Sequence, residues 1–302
     1  MPLLKRVRVL AAKIETTPGT AIALSGTDGA FHVYDVEINA GITVSERPNT
    51  STFGSLPAPQ EGRMGTVTFK LNPYSAGTAN PAWATTFLPA CGLNNTLLVW
   101  DPVAEAPGSN VKTLTIGVYE NGLYKQLRGC AGTFSLTAET GRMAELEFTF
   151  TGIWDDPSDV AIVSPTYPTD LPYRAAGSGT PFSWGSWQPC IQSFSFDLGN
   201  NVVMRECTTD ASGFKTAIIT DRQPTAQFNP ESDLVATYDY YGDWKDATER
   251  ALAYQLDDAN GDMTFNLTSA QITNIQEGER NGIQIDTVDV RVNEEDFDIT
   301  FT

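Results

Sequence analysis

The residues best suited to acid–base, nucleophilic or metal chemistry are few and scattered in this sequence. His32 is the single histidine of the 302-residue chain, so a Ser-His-Asp or Cys-His arrangement would have to use it, and no supporting motif surrounds it. A classical zinc site lacks ligands for the same reason. Cys91, Cys130, Cys190 and Cys207 form no CxxC pair, which favours reduced, packed thiols. The sequence predicts no catalytic residue, no cofactor and no metal site.

Acidic side chains are numerous, but their spacing does not match a known site. The run DDANGD at 257–262 superficially resembles a calcium loop, yet its glycine comes too early for the EF-hand pattern, and a turn explains it better. The pairs Glu145/Glu147 and Glu294/Glu295 could serve as glycosidase carboxylates, but nothing in the sequence brings two of them together across a cleft. No GxGxxG or GxxxxGK[ST] motif occurs. A structural or binding role is therefore favoured over an enzyme.

The net charge of −18 is unevenly distributed along the chain. Residues 1–155 hold 11 basic and 13 acidic side chains, whereas residues 156–302 hold 8 and 24. Such a surface repels nucleic acid phosphates, which excludes ordinary DNA binding but suits a conduit for DNA. The sequence has no apolar run of the length that a signal peptide or a membrane helix needs. We expect a protein that is made in the cytoplasm and has no membrane partner.

The elements that must position the polar residues occur twice in the sequence. YDVEINAGITVSERP at 34–48 and SFSFDLGNNVVMREC at 193–207 each show an alternating strand, a glycine and an apolar continuation that ends in arginine. RMGTVTF at 63–69 then matches RQPTAQF at 222–228. The offsets are 158 and 159 residues, and they pair positions that we expect to be structural, Gly41 with Gly199 and Arg47 with Arg205.

Long loops rich in turn-forming residues, 48–62 and 206–221, separate the two strands of each copy. A helix is predicted next in each copy. In NPAWATTFLPACG, Asn80 can cap the helix, Pro81 suits its first position and Gly92 can end it. In DWKDATERALAYQLDDANG, at 243–261, Asp243 can cap a helix whose apolar residues recur at helical spacing. The alignment pairs Trp83 with Trp244.

Two further strands are predicted at the end of each copy. In the second copy the apolar phase slips between Ile285 and Val288, which predicts a bulge near Asp286. The sequence thus predicts a mainly β (α+β) protein with two tandem domains, each with one flanking helix and a long β-hairpin loop. The domains are 1–155, with an N-terminal arm, and 191–302, an internal duplicate, joined by a Pro-rich extended connector at 156–190. Two unrelated α+β halves that share common hairpin patterns are the alternative.

Four stretches resemble the tail tube (major tail) proteins of tailed bacteriophages, and together they span nearly the whole chain: AAKIETTPGTAIAL, NPAWATTFLPACGL, LYKQLRGCAGTFSLTAETGRMAELEFTFTGIW and FDLGNNVVMRECTTDASGFKTAIITDRQPTAQF. The longer two-domain siphophage type, such as that of the flagellum-binding Chi-like group, is the most similar. The resemblance implies β-sandwich or half-barrel units, six to a ring, and rings that stack into a tube through which the genome passes. A duplicated chain would need three copies per ring, giving pseudo-sixfold symmetry.

The resemblance also implies partners and a location. The chain would bind copies of itself, the tape-measure protein, the tail terminator and the baseplate or tail-tip proteins. Genomic DNA would pass through the lumen without specific binding, and the protein would be part of the virion. Whether the tail is contractile stays open.

Two sets of residues follow as candidates for these contacts. Acids on the strand faces opposite the apolar stripes could line the lumen, although an outward-facing position explains each of them equally: Asp35, Glu37, Glu145, Glu147, Asp197, Asp286 and Asp289. Ring stacking could use the N-terminal arm at 1–30 and the long loops, which could also be mobile surface hairpins: Pro48, Phe53, Leu56, Gln60, Thr208, Phe214 and Ile218.

A carbohydrate- or receptor-binding β-sandwich, such as an adhesin or a virion decoration protein, is the alternative function. Trp184 and Trp187 would supply its sugar-binding platform if both were exposed.

Overall fold

The computed structural model describes residues 8–103, 111–175, 181–258 and 261–302. Three predicted features lie partly outside these ranges: the N-terminal arm at residues 1–7, the connector at 176–180 and the DDANGD run at 259–260. The prediction of a mainly β fold is confirmed, since 59% of the chain is strand and 8% is helical.

The described residues form 19 strands and two α-helices. In chain order the strands are β1 Arg8–Ile14, β2 Val33–Val44, β3 Arg47–Pro48, β4 Ser55–Leu56, β5 Gln60–Leu71, β6 Leu93–Thr96, β7 Val99–Pro102, β8 Leu114–Glu120, β9 Leu123–Glu139, β10 Glu145–Asp159, β11 Phe182–Trp184, β12 Ile191–Asp197, β13 Asn200–Glu206, β14 Phe214–Arg222, β15 Thr225–Pro230, β16 Glu249–Asp258, β17 Gly261–Arg280, β18 Ile283–Val292 and β19 Phe297–Phe301. The helices are α1 Ala82–Phe87, which continues as a 3-10 turn over Leu88–Cys91, and α2 Tyr240–Lys245.

Eight antiparallel strands form the continuous part of the main sheet, in the order β2-β5-β10-β9-β12-β15-β18-β17. The first four are named here the first strand group, and the last four the second strand group. Within each group the strands lie in the same order, which by position along the chain is first, second, fourth, third. The groups meet where β9 pairs with β12, with Phe196 opposite Leu136.

The strand register is also the same in the two groups. One row of paired residues crosses the first group through Ile38, Val67, Phe150 and Gly132. The corresponding row of the second group runs through Phe196, Ala226, Val290 and Ile272. The offsets of 158 and 159 residues found in the sequence relate the first two members of these rows.

Outer strands complete each group into two layers. β1 pairs with β8, and β8 with the first part of β9. In the second group β11 pairs with β16, and β16 with the first part of β17. The β6–β7 hairpin, which follows α1, pairs with β19 beside β17 and so links the two groups on the outer side.

One aromatic core lies between the sheet and the outer layer and includes residues of both groups. Phe87 of α1 contacts Phe69 and Phe148, with ring centroids 5.0 and 5.3 Å apart. Phe134 of β9 lies 6.1 Å from Phe196 of β12 and so carries the core across the junction between the groups. Each of these side chains is at most 1% exposed, and burial of one such ring contributes about 1.5–3 kcal/mol.

The second predicted helix is wrong over most of its length. The helix is α2 at Tyr240–Lys245, capped by Asp239 rather than Asp243, and residues 249–258 form β16. Leu252, Tyr254 and Leu256 are buried in strict alternation, so this segment follows the two-residue period of a strand and pairs with β17.

The first helix is close to its prediction, with different capping. Pro81 is the N-cap, and Asn80 instead accepts a hydrogen bond from the indole of Trp100 at 2.9 Å. Gly92 ends the helical segment at a φ of 78°, as the sequence predicts. The division into two domains with a connector stays a prediction, and in the structure β10 continues to Asp159 while β12 begins at Ile191.

Candidate functional site

The side of the eight-stranded sheet opposite the aromatic core is polar and is named here the polar face. In one row Glu147 lies opposite Ser135, Ser135 opposite Asp197, and Asp197 opposite Thr225. Because the row crosses from the first group to the second without interruption, the polar face is one surface. Six of the seven predicted lumen acids lie on it and are exposed or half-buried: Asp35, Glu37, Glu145, Glu147, Asp197 and Asp289.

Lys70 partly neutralises the acids of the first group. Its ammonium lies 2.7 Å from Glu145 and 3.7 Å from Glu147, and the Tyr34 hydroxyl donates to Glu145 at 2.7 Å. The hydrogen bond to Glu145 raises the pKa of Lys70. Partial burial alone would raise the pKa of Glu145, but the hydrogen bonds from Lys70 and Tyr34 outweigh it and lower that pKa. Both groups are therefore charged at neutral pH.

Asp286 is not an exposed acid, and that part of the sequence prediction is wrong. Its side chain is 0% exposed, and its carboxylate accepts hydrogen bonds from Ser232 at 2.8 Å and from Tyr240 and Tyr241. The strand pairing of β18 is regular at this position, and the register shift lies in the opposite strand, between Ile272 and Asn274. Asp286 therefore keeps the inward phase of the valines that follow it in β18.

Two strand edges flank the polar face. Among the described strands, β2 pairs only with β5, and residues 274–280 of β17 pair only with β18. The corresponding part of β9 pairs with β12 as well as with β10. Edges of this kind present backbone groups to which a further strand can bind.

The hairpin β13–β14, residues 200–222, is named here the second hairpin, and it packs on the first strand group. Met204 and Ala217 form a small apolar cluster with Ala131 and Ile153. The Thr216 hydroxyl donates to the Gly129 carbonyl at 3.2 Å. Of the stacking candidates on this hairpin, Thr208 and Ile218 are exposed and Phe214 is half-buried.

Charged and backbone groups hold the base and tip of the second hairpin in place. At the base, Arg222 is almost buried and donates to Glu295 at 2.9 Å and to the Gly92 carbonyl at 3.0 Å. At the tip, the Arg128 guanidinium lies 3.4 Å from Asp210. The second hairpin is thus fixed at both ends to its own chain.

Residues 44–60, which include β3 and β4 and are named here the first hairpin, are in the opposite situation. Phe53 has a relative exposure of 115%, Val44 of 59% and Leu56 of 42%. Pro48 and Gln60 are exposed as well, and Arg47 donates within the hairpin to the Pro57 carbonyl at 3.0 Å. The four stacking candidates of this hairpin are therefore all available to another molecule.

Glu15 anchors the described part of the N-terminal arm. It is 5% exposed and accepts hydrogen bonds from the backbone N–H groups of Gly19 and Gly129, each at 2.7 Å. The hydroxyls of Thr113 and Thr115 donate to it at 2.6 and 2.9 Å. The arm from residue 8 is thus paired and anchored. Nothing in the sequence pattern singled out Glu15.

Trp184 and Trp187 do not form an exposed pair, so the predicted sugar platform is wrong. They are 0% and 6% exposed. Trp184 donates its indole N–H to Asp243 at 3.1 Å, and the ring of Trp187 stacks on Tyr240 at a centroid distance of 4.8 Å. Both rings fasten the end of the connector to the second group.

The residues paired by the internal alignment differ in their local structure. Gly199 has a φ of 64°, and a Cβ there would lie 2.2 Å from the Gln223 carbonyl oxygen, so the turn from β12 into β13 requires glycine. Gly41 lies inside β2 without such a constraint. Trp83 is 1% exposed near the start of α1, whereas Trp244 is 38% exposed near the end of α2. Arg47 and Arg205 are both exposed on their hairpins.

No group of three or more His, Cys, Asp or Glu side chains within the described ranges could hold a metal ion. No helix in the described part of the chain is long and apolar enough to cross a membrane.

Comparison with known families gives one match to the chain. A family model described as "phage tail tube protein" matches residues 6–300, which include both strand groups and both hairpins. No curated protein sequence matches the chain.

Proposed function

We propose, because the chain belongs to the phage tail tube protein family, that its copies close into rings and that these rings stack into the tail tube. Membership of this family gives the chain a structural role in the tail tube and a place in the virion. The ring, its symmetry and the passage of DNA are the proposal.

The junction between β9 and β12 is the observation that carries this proposal. It joins two strand groups of identical order and register within one chain, which supports an internal duplication. The edges of β2 and of residues 274–280 of β17 are the two members that a second junction of the same kind would need. Pairing β17 of one copy with β2 of the next would continue the sheet, and closure would remove both edges.

A ring of three chains has suitable dimensions for DNA. Three chains contribute about 24 strands, which at about 4.8 Å spacing and about 40° tilt give a backbone circle about 48 Å across. Inward side chains take about 10–12 Å of this diameter, which leaves room for a duplex about 20 Å wide. We therefore propose trimeric rings with pseudo-sixfold symmetry.

The polar face would line the lumen in this arrangement. Its exposed acids repel DNA phosphates, and Ser, Thr and Gln side chains cover much of the rest, so DNA could slide without binding. The lumen acids that we retain are Asp35, Glu37, Glu145, Glu147, Asp197 and Asp289. Asp286 is excluded because it is buried.

Contacts with other copies are assigned to the exposed residues of both hairpins. The candidates that remain exposed are Pro48, Phe53, Leu56 and Gln60 on the first hairpin and Thr208 and Ile218 on the second. The tape-measure protein, the tail terminator and the tail-tip proteins complete the proposed set of partners.

Electron microscopy of the purified protein at high concentration tests the proposal. We expect rings or tubes whose averages show threefold symmetry with six lobes. A chain that stays monomeric with and without a purified tail-tip complex as initiator would refute it. A ring of six chains would refute the proposed trimer and keep the tube.

A further inference from the structure

The two hairpins have nearly the same length but different surroundings. The segment from Val44 to Arg63 corresponds in the alignment to that from Val202 to Arg222. Val202 packs against the apolar cluster beneath the second hairpin, whereas Val44 is 59% exposed. The second hairpin has a binding surface on its own chain, and the first hairpin, as described, has none.

The tip of the second hairpin contacts the base of the first hairpin. The backbone N–H of Arg63 donates to the Ser212 carbonyl at 3.0 Å. A Cβ placed at Gly62 would lie 2.5 Å from the ring of Phe214, and Gly213 lies 3.5 Å from the position of that Cβ's neighbouring backbone. The contact is therefore close and includes backbone from both hairpins.

The internal alignment specifies the matching contact for the first hairpin. An offset of 159 residues relates Gly62 to Asp221 and Arg63 to Arg222 at the two hairpin bases. The same offset relates Gly54 to Gly213 and Ser55 to Phe214 at the two tips. The tip of the first hairpin should thus meet residues 221–222 of a second strand group whose position corresponds to that of the first group beneath the second hairpin.

We propose that the tip of the first hairpin, residues 53–56, binds the base of the second hairpin, residues 221–222, of the neighbouring copy in the same ring. The inference rests on the proposed ring. Within one chain the second group follows the first across the β9–β12 junction, and its hairpin reaches back onto the first group. Across the proposed junction between copies, the first group follows a second group, and its hairpin reaches back in the same way.

The chemistry of the two surfaces fits this partner. Ser55 and Asp221 are both exposed, and Phe53 would lose the largest exposed apolar surface of the hairpin on binding. The contact also closes on itself, since each tip binds the next base until the ring is complete. Each chain would then contribute one contact within itself and one with its neighbour, and the hairpins would form a belt that locks the ring.

Cysteine crosslinking separates this arrangement from a contact between stacked rings. Cys190 and Cys207 are first replaced by serine, while Cys91 and Cys130 are buried and are kept. Ser55→Cys and Asp221→Cys are combined in this background, and tubes verified by electron microscopy are oxidised or treated with a short bifunctional maleimide. Gly54→Cys with Asp221→Cys is a second pair in case the first disturbs assembly. Gly62→Cys with Phe214→Cys is the control that should crosslink within one chain.

A single covalent product, the closed trimer, is the expected result on non-reducing gels. A ladder extending beyond the trimer would show that the first hairpin joins successive rings and would overturn the inference. Absence of crosslinks in verified tubes, with the control pair reacting, would overturn it as well. Absence of rings from the protein without introduced cysteines would instead refute the proposed function on which the inference rests.

Discussion

Arg222 and Glu295 form a nearly buried ion pair, 2.9 Å apart, at the base of the second hairpin. The corresponding pair of the first group, Arg63 and Asp156, is 3.1 Å apart but lies in solvent, with the Asp156 side chain 80% exposed. The same link between strands is thus used twice with different burial.

Replacing Arg222 by alanine should lower the free energy of unfolding by about 3 kcal/mol, because Glu295 and the Gly92 carbonyl would lose a partner in a poorly solvated site. Arg63→Ala should cost less than about 1 kcal/mol, because its pair is exposed. Urea unfolding followed by fluorescence measures both variants. Equal losses for the two would contradict the importance of burial.

Asp243 should contribute stability that depends on pH. Its burial alone would raise the pKa, but hydrogen bonds from Arg250, Tyr238 and Trp184 outweigh burial and lower the pKa below the usual value. The contribution is therefore complete above the pKa of the unfolded chain, near 3.8, and is lost as the pH falls through the lower pKa of the folded state.

Asp243→Asn is accordingly expected to lower the free energy of unfolding by about 2–4 kcal/mol at pH 7, since Arg250 loses its carboxylate. The difference from the unmodified protein should narrow below about pH 4. Denaturant titrations at pH 7, 5 and 3 measure this difference, and Asp246→Asn, at an exposed neighbouring site, is the matched control. A difference that stays constant with pH would be the contrary result.

Glu15→Gln should destabilise the protein by about 2–3 kcal/mol and loosen the surface on which the second hairpin packs. The amide cannot accept all four hydrogen bonds of the carboxylate, and the N–H groups of Gly19 and Gly129 would be left partly unsatisfied. Hydrogen exchange at these two glycines should accelerate more than exchange in β17. Glu139→Gln, at an exposed site, should leave exchange unchanged, and uniform acceleration in the Glu15 variant would indicate a general loss of stability instead.

Glu37→Lys tests the charge of the proposed lumen. Glu37 is exposed on the polar face, and the substitution would place an added positive charge three times in every ring. DNA release from particles with this variant should be several-fold slower at low salt and should recover as salt rises, because the added contact with phosphate is electrostatic. Asp246→Lys, beyond the end of α2, should release DNA normally. Release that is slow at all salt concentrations would indicate an assembly defect.

Much of the sheet was predictable from alternation alone. The segments around Ile38, Val67, Phe194 and Phe196 carry the two-residue period over a length that only a strand satisfies, and this period also placed six acids on one face. The segment 249–258 was not predictable in this way, because Ala251 and Leu252 fit a helical spacing while Leu252, Tyr254 and Leu256 fit a strand. Pairing with β17 decides between the two.

Features that depend on residues far apart in sequence escaped prediction for a physical reason. Asp286 has no signal of burial in its own strand, and only the hydroxyls of Ser232 and Tyr240 make its inward position favourable. The docking of the second hairpin depends on Ala131 and Ile153, which lie in other strands. The arginines at the loop ends were visible in the sequence, but their carboxylate partners were not.

The covalent link between the two strand groups changes the molecularity of assembly. In the proposed ring, three of six junctions form as each chain folds, so the concentration dependence of ring formation is third order in chains rather than sixth order in single units. The two kinds of junction also become chemically distinct surfaces. A substitution at β9 and β12 is then a folding defect, whereas one at the edges of β2 and β17 is an assembly defect, and selection can act on each of them separately.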